Sequence, residues 1–211
     1  MLNSLSQTLL KFTVPGVPDI YQGNEVWSFR LVDPDNRNPI DFGRTREIFR
    51  DLAAFLSVPD ELLAGRVRGL TEEMEDGRIK LYLTWRTLSL RWEHHGLFQY
   101  GTYLPLSANG TKAEHICAFA RRFKDRTAIV AVPRLFVGLC GFNPKAKPIG
   151  SEIWLDTRVN AASEQFDKRV YRNIFTGELV VPEMHSGNPS FPAAQLFSNF
   201  PVALLTDVPA Y

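Results

Sequence analysis

At 211 residues with 45% apolar content, the chain can bury a core in one large domain or two small ones, and disorder is excluded as its overall class. Its 24 Lys and Arg against 23 Asp and Glu leave a formal net charge of +1, so no electrostatic footprint points to nucleic acid or an anionic bilayer as a partner. Apolar runs such as Ala128 to Val132 and Val202 to Leu205 fall far below the ~20 residues that a membrane-spanning helix needs, and no membrane partner is expected.

Leu2, Leu5, Leu9 and Phe12, with Leu10 widening the stripe, predict an amphipathic helix over 3–12. Pro15-Gly16-Val17-Pro18 stops it, and Val17 to Tyr21 reads as a short buried strand closed by Gly23. The run from Asp33 to Pro39 is turn chemistry, with two prolines fixing φ and Asp or Asn side chains able to bond nearby backbone, so a structured loop is expected. Thr45 is a suitable N-cap for a helix whose apolar face is Ile48, Phe49, Leu52, Phe55 and Leu56, with Pro59 beyond its end. Thr71 to Asp76 carries four carboxylates and reads as a solvated loop. Asp76-Gly77 then opens a long helix in which Leu81, Trp85, Leu88 and Trp92 share a core-facing stripe, ended by His94, His95 and Gly96.

Beyond Gly96 the period becomes strand-like, with strands expected at Tyr103 to Leu106, His115 to Arg121, Thr127 to Val132, Ile153 to Thr157, Tyr171 to Phe175 with Glu178 to Val181, and Phe200 to Leu205. Thr176-Gly177-Glu178 between two apolar runs signals a hairpin, while the proline-rich segment from Pro182 to Pro192 reads as a surface loop. Cys117 and Cys140 are too few for a disulfide framework and fit a reducing compartment, so the expected location is cytoplasmic. The residues after Met1 show neither the basic lead-in nor the apolar centre of a targeting peptide.

A lone strand between two helices cannot satisfy both its edges, and residues 1–95 offer no second strand of that kind. The segment Pro15-Gly16-Val17-Pro18-Asp19-Ile20-Tyr21-Gln22-Gly23-Asn24-Glu25 resembles the eighth-strand signature of the α-amylase family of glycoside hydrolases and transglycosylases. Four further blocks resemble, more narrowly, the maltooligosyl trehalose synthase family: Met1 to Lys11, Leu31 to Pro39, Asp76 to Leu81 and Gly101 to Leu106, in that order. The resemblance implies a fold of two parts. Residues 1–95 would be the last strand and helices of a catalytic (β/α)₈ TIM barrel, and residues 97–211 an antiparallel β-sandwich domain.

The activity so implied is that of a glucosylmutase, converting the reducing-end α-1,4 linkage of a maltooligosaccharide to the α,α-1,1 linkage of trehalose, with no cofactor. Retaining transfer of this kind needs two carboxyl groups about 5 Å apart across the scissile bond. In the family those carboxylates follow earlier barrel strands, which would all precede Met1. No catalytic residue is therefore assigned here, Asp19, Glu25, Asp33, Asp35 and Asp41 included. The chain is expected to be a C-terminal fragment, inactive alone, whose partners are a maltooligosaccharide and the N-terminal barrel portion of the same protein.

Binding residues can be carried over, because ligands of such barrels sit where strands end and loops begin. Tyr21 and Gln22, with Asp35, Asn36 and Arg37 of the following loop, are the expected substrate contacts, Tyr21 by ring stacking and the others by hydrogen bonds to hydroxyls. A packed Tyr21 and a self-bonded loop are the alternative reading of the same residues. No metal site is expected: His94 and His95 are adjacent and cannot both face one ion, and His115 with Cys117 supplies only two ligands. Two other functions compete with the mutase: another hydrolase or transglycosylase of the α-amylase family, and a non-catalytic carbohydrate-binding β module.

Overall fold

A computed structural model describes residues 1–29, 37, 39–143, 145–161, 166 and 170–207. The helical half comprises α1 (Leu2–Thr13), α2 (Phe42–Phe55), α3 (Asp60–Glu72), α4 (Arg78–Glu93) and α5 (His95–Tyr100). In α1 the spacing of Leu5, Leu9 and Phe12 puts all three on one buried stripe, and Val14, extended and followed by Pro15, ends the helix. Asp41 caps α2, its carboxylate accepting the Arg44 N–H at 2.9 Å, so the helix begins three residues before Thr45. The solvated loop expected from Thr71 to Asp76 is instead the end of α3 and a short helical turn over Met74–Asp76, with Thr71 and Met74 buried. Asp60 and Glu61 lie in the first turn of α3, where the helix dipole favours carboxylates, and Val67 and Leu70 supply its buried face. Gly77, at φ 82°, makes the left-handed step into α4.

The second half is one antiparallel sheet. Its strands are β1 (Thr102–Asn109), β2 (Ile116–Phe123), β3 (Arg126–Pro133), β4 (Arg158–Asn160), β5 (Tyr171–Asn173), β6 (Leu179–Val180), β7 (Glu183–His185), β8 (Asn188–Pro192) and β9 (Ala203–Asp207), in the order β6-β5-β9-β3-β2-β1-β4-β8-β7. Short helices α6 (Phe136–Cys140), α7 (Ser151–Trp154) and α8 (Ala193–Leu196) interrupt it. The two-sheet sandwich read from the sequence is replaced by a curled single sheet. Strand β1 pairs with β2 through Thr102 to Leu106 and with β4 through Ser107 to Asn109, so the sheet turns at β1. That turn brings Phe191 of β8 against Tyr171 of β5, ring centres 5.5 Å apart, although five strands separate them in the sheet order.

Both faces of the central strands are covered, which is why β3 is buried from Thr127 to Pro133. Val130 and Val132 point to the helices, sharing a core with Leu5, Leu9, Ile79 and Leu83. Ile129 and Ala131 point into the curl, with Trp154, Val159, Phe191 and Phe197. Arg121 is the exception on β2. Its fully buried guanidinium donates to the carbonyls of Thr13 at 2.9 Å, Phe98 at 2.8 Å and Gly101 at 2.9 Å, tying the ends of α1 and α5 to the sheet.

Three sequence expectations are corrected. Ile153 to Thr157 is not a strand: α7 occupies Ser151–Trp154, and Trp154 is fully buried with its indole N–H on the Pro148 carbonyl at 2.9 Å. Pro182 to Pro192 is not a surface loop but the β7–β8 hairpin, whose two-residue turn uses Ser186 at φ 50° and Gly187 at φ 80°. Val17 to Tyr21 is not a strand. It has no ladder partner among the described residues, and Val17 is 97% exposed. Arg91 of α4 holds its start in place by donating to the carbonyls of Phe12 at 2.8 Å and Gly16 at 3.0 Å.

Candidate functional site

After the Val17 to Ile20 segment, Tyr21 to Asn24 form a turn closed by the Asn24 N–H on the Tyr21 carbonyl at 3.2 Å, with Gly23 at φ 81°. A Cβ at Gly23 would lie 2.7 Å from Ile40 Cδ1, so the Ile40 side chain packs directly on this turn. Tyr21 is half exposed and Gln22 exposed, so neither is a packed core side chain. Arg37 is exposed. Asp35 and Asn36 lie outside the described residues. Of the five predicted contacts, Tyr21 and Gln22 share this turn, and they and Arg37 are exposed.

Behind the turn lies a cavity of about 270 Å³ that the sequence did not announce. Its walls come from α1, the segment Ile20 to Glu25, and the first half of α4. The α1 wall is a polar stripe: Ser4, Gln7, Thr8 and Lys11 recur at helical spacing beside the apolar one. From α4, Lys80 and Thr84 are one turn apart on the same face, both buried. Lys80 Nζ donates to the Val26 carbonyl at 3.1 Å and sits 5.7 Å from the Trp27 ring centre, while the Trp27 indole N–H donates to the Met74 carbonyl at 2.5 Å. These bonds stitch Val26 and Trp27 to the start of α4. Burial, reinforced by the Lys11 charge, lowers the Lys80 pKa below the usual amine value, and Glu25 pulls the other way. Glu25 Oε2 and Thr84 Oγ1 are buried with no hydrogen-bond partner among the described residues.

The acidic residues that could tempt a catalytic assignment are otherwise engaged or unpaired in geometry. Asp41 is a helix cap, Asp19 is exposed, and Glu25 has no second carboxylate among the cavity-lining residues. Trp85 packs edge-on against Phe49 at 5.0 Å as the helical stripe predicts, but Trp92 does not belong to the core. It is 84% exposed and borders a groove with Val17, Leu88 and Phe98.

No family model matches the chain. Two Mycobacterium tuberculosis sequences designated maltooligosyl trehalose synthase are 33% identical to it over 205 residues, 96% of this chain and 20% of theirs. Among solved structures, the maltooligosyltrehalose synthase from Arthrobacter ramosus superposes with a TM-score of 0.72 at 31% identity, covering 98% of this chain and 22% of that one. An Anoxybacillus α-amylase shares the fold at a TM-score of 0.55 and 18% identity, covering 99% of this chain and 32% of its own. The chain spans about a fifth of the length of the curated relatives it matches. Over nearly all of its residues, then, this chain is a homologue of maltooligosyl trehalose synthase, similar to a C-terminal part of that enzyme.

Proposed function

We propose that the chain supplies one wall of the substrate cleft, together with the C-terminal β domain, of a glucosylmutase that turns the reducing-end α-1,4 linkage of a maltooligosaccharide into an α,α-1,1 linkage. On this reading residues 1–95 are the closing part of a (β/α)₈ barrel and residues 97–211 the accessory β domain. The barrel portion that this chain does not contain provides the reactive carboxylates. The observation that carries it is the segment Val17 to Tyr21, a strand sequence with apolar side chains exposed and no ladder partner among the described residues, leading straight into a sugar-compatible turn. Tyr21, Gln22 and Arg37, with Asp35 and Asn36 of the same loop, line the cleft and contact sugar. Two free cysteines fit the reducing cytoplasm.

The test uses maltopentaose. The chain alone gives no non-reducing product, and the chain co-expressed with the catalytic barrel of a maltooligosyl trehalose synthase lowers the reducing-end titre. In the assembled enzyme Arg37→Ala raises KM with little change in Tm. A non-reducing product from the chain alone, or unchanged kinetics with a lowered Tm in Arg37→Ala, would overturn the corresponding statement.

A further inference from the structure

We infer that the apolar groove between the start of α1 and α6 is a docking surface for the segment that leads into α1 in the longer relatives, so that the β domain as well as the helices grips the barrel portion. The groove holds about 250 Å³, with Leu2 of α1 on one side and Phe136, Val137, Cys140, Phe142 and Asn143 on the other. Among the described residues no charged side chain lines it. Its walls are firmly mounted. Leu139 of α6 is buried in the core of the curl, and the backbone at Gly138 runs so close to His115 that a Cβ there would stand 2.9 Å from the ring. On the α1 side, the Ser6 hydroxyl donates to the Pro133 carbonyl at 2.8 Å, just before α6. Yet the outward face is bare: Phe142 is 93% exposed, and Leu135 and Val137 are 56% exposed. Leu135 enters α6 from the left-handed region at φ 55°, a strained state for leucine that persists only where the surroundings fix it. A rigid element carrying several uncovered apolar side chains together marks an interaction surface.

Continuity selects the occupant. The chain matches a fifth of its curated relatives' length, in their C-terminal part, so most of their residues precede the position of Leu2. That preceding chain emerges beside the groove, because Leu2 is one of its walls. The side chains it lays there are apolar, since a charge buried in this groove would find no partner. A second copy of the chain fits less well. A stable interface between copies buries about 800 Å² on each partner, whereas a covalently continuous segment needs little area because its local concentration is already high. The inference rests on the cleft-wall reading, which makes the barrel portion the neighbour of α1. It concerns the end of that helix opposite Val17 and Trp92, about 18 Å away along its 12 residues.

Cys140 reports whether the groove is filled, because its free, half-buried thiol lines it. Alkylation of Cys140 by iodoacetamide is timed by peptide mass spectrometry in the 211-residue chain over a range of concentrations, and in the chain co-expressed and purified with the catalytic barrel of a maltooligosyl trehalose synthase. The double variant Val137→Ser with Phe142→Ser is run alongside. The barrel slows Cys140 alkylation at least tenfold, and in the double variant that protection falls below about threefold. The Tm of the variant chain alone stays within about 2 °C, since both side chains are exposed. A complex in which Cys140 reacts as fast as in the chain alone, or is equally protected in the variant, overturns the docking. Protection in the chain alone that disappears on dilution overturns it too and assigns the groove to a second copy. Mutase activity in a complex with a reactive Cys140 leaves the cleft-wall reading standing without the docking, and a protected Cys140 in a complex without mutase activity does the reverse. If no complex forms, both fall.

Discussion

Arg121 shows how one side chain can hold two halves of a molecule together. The residue is 1% exposed, and among the described residues its guanidinium donates to carbonyls alone, those of Thr13, Phe98 and Gly101. Arg121→Met fills much of the same volume but leaves three buried acceptors without donors, and charge-assisted bonds of this kind are worth about 1.5 to 3 kcal/mol each. Stability should fall by about 3 kcal/mol or more, read as a lower urea midpoint. Tyr82 makes a second long-range tie, its hydroxyl donating to the Phe175 carbonyl at 2.5 Å. Burial pushes its pKa from the usual 10.0 up to about 12, with the Arg86 charge opposing. The folded pKa is raised, so the associated stability is complete below pH 10 and is lost as pH climbs toward 12, because the unfolded chain releases its proton first. Tyr82→Phe should cost about 1 kcal/mol at neutral pH and flatten the alkaline fall in stability between pH 10 and 12. Paired denaturation series at pH 8 and pH 11 would measure both effects.

At the level of elements, what could be read beforehand was what local chemistry decides. The stripe in α1, the glycine step into α4 and the β-branched run of β3 are each local signals, so their existence follows from the sequence alone. The β7–β8 hairpin was hidden because Pro189 and Pro192 look like breakers; the ladder needs only the Pro189 carbonyl, which accepts from the Ala161 N–H at 2.9 Å. In α7 the alternation of Ile153 and Leu155 around Trp154 imitates a strand, whereas the fold closes a helical turn there and buries the indole on the Pro148 carbonyl. The turn after β1 depends on a single glycine. Gly110 has φ 95°, and a Cβ there would stand 2.8 Å from Thr157 Cα and 2.9 Å from the Asp156 carbonyl oxygen, both backbone. Gly110→Ala therefore combines left-handed strain with a clash that cannot swing away, and it should cost about 2 kcal/mol or more by chemical denaturation. The Thr111 N–H bond to Asp156 Oδ1 at 2.9 Å would be lost with it, visible as faster amide exchange at Thr111.

For the whole molecule, the helices and the sheet share one apolar core, Leu5, Leu9 and Ile79 meeting Phe119, Val130 and Leu204. The candidate cavity was illegible for a related reason: its walls come from residues 4–12, 20–25 and 80–84, and only the tertiary packing of α1 on α4 brings them together. The turn that carries Tyr21 and Gln22 is, by contrast, a local motif. The same packing leaves a groove of about 560 Å³ in which Val17, at 97% exposure, and Trp92, at 84%, face outward beside Leu88 and Phe98. Large side chains so placed gain about 1.5 to 3 kcal/mol each when a partner covers them. On the proposed reading the partner is the remainder of the barrel, docking on the unpaired edge of Val17 to Tyr21. The double substitution Val17→Ser with Trp92→Ser should leave the Tm of the chain within about 2 °C, because little intramolecular burial is lost. It should weaken association with a separately expressed barrel portion by more than about a hundredfold, as measured by sedimentation or calorimetry. A large drop in the Tm of the isolated chain would mean that the two side chains are instead part of its own core.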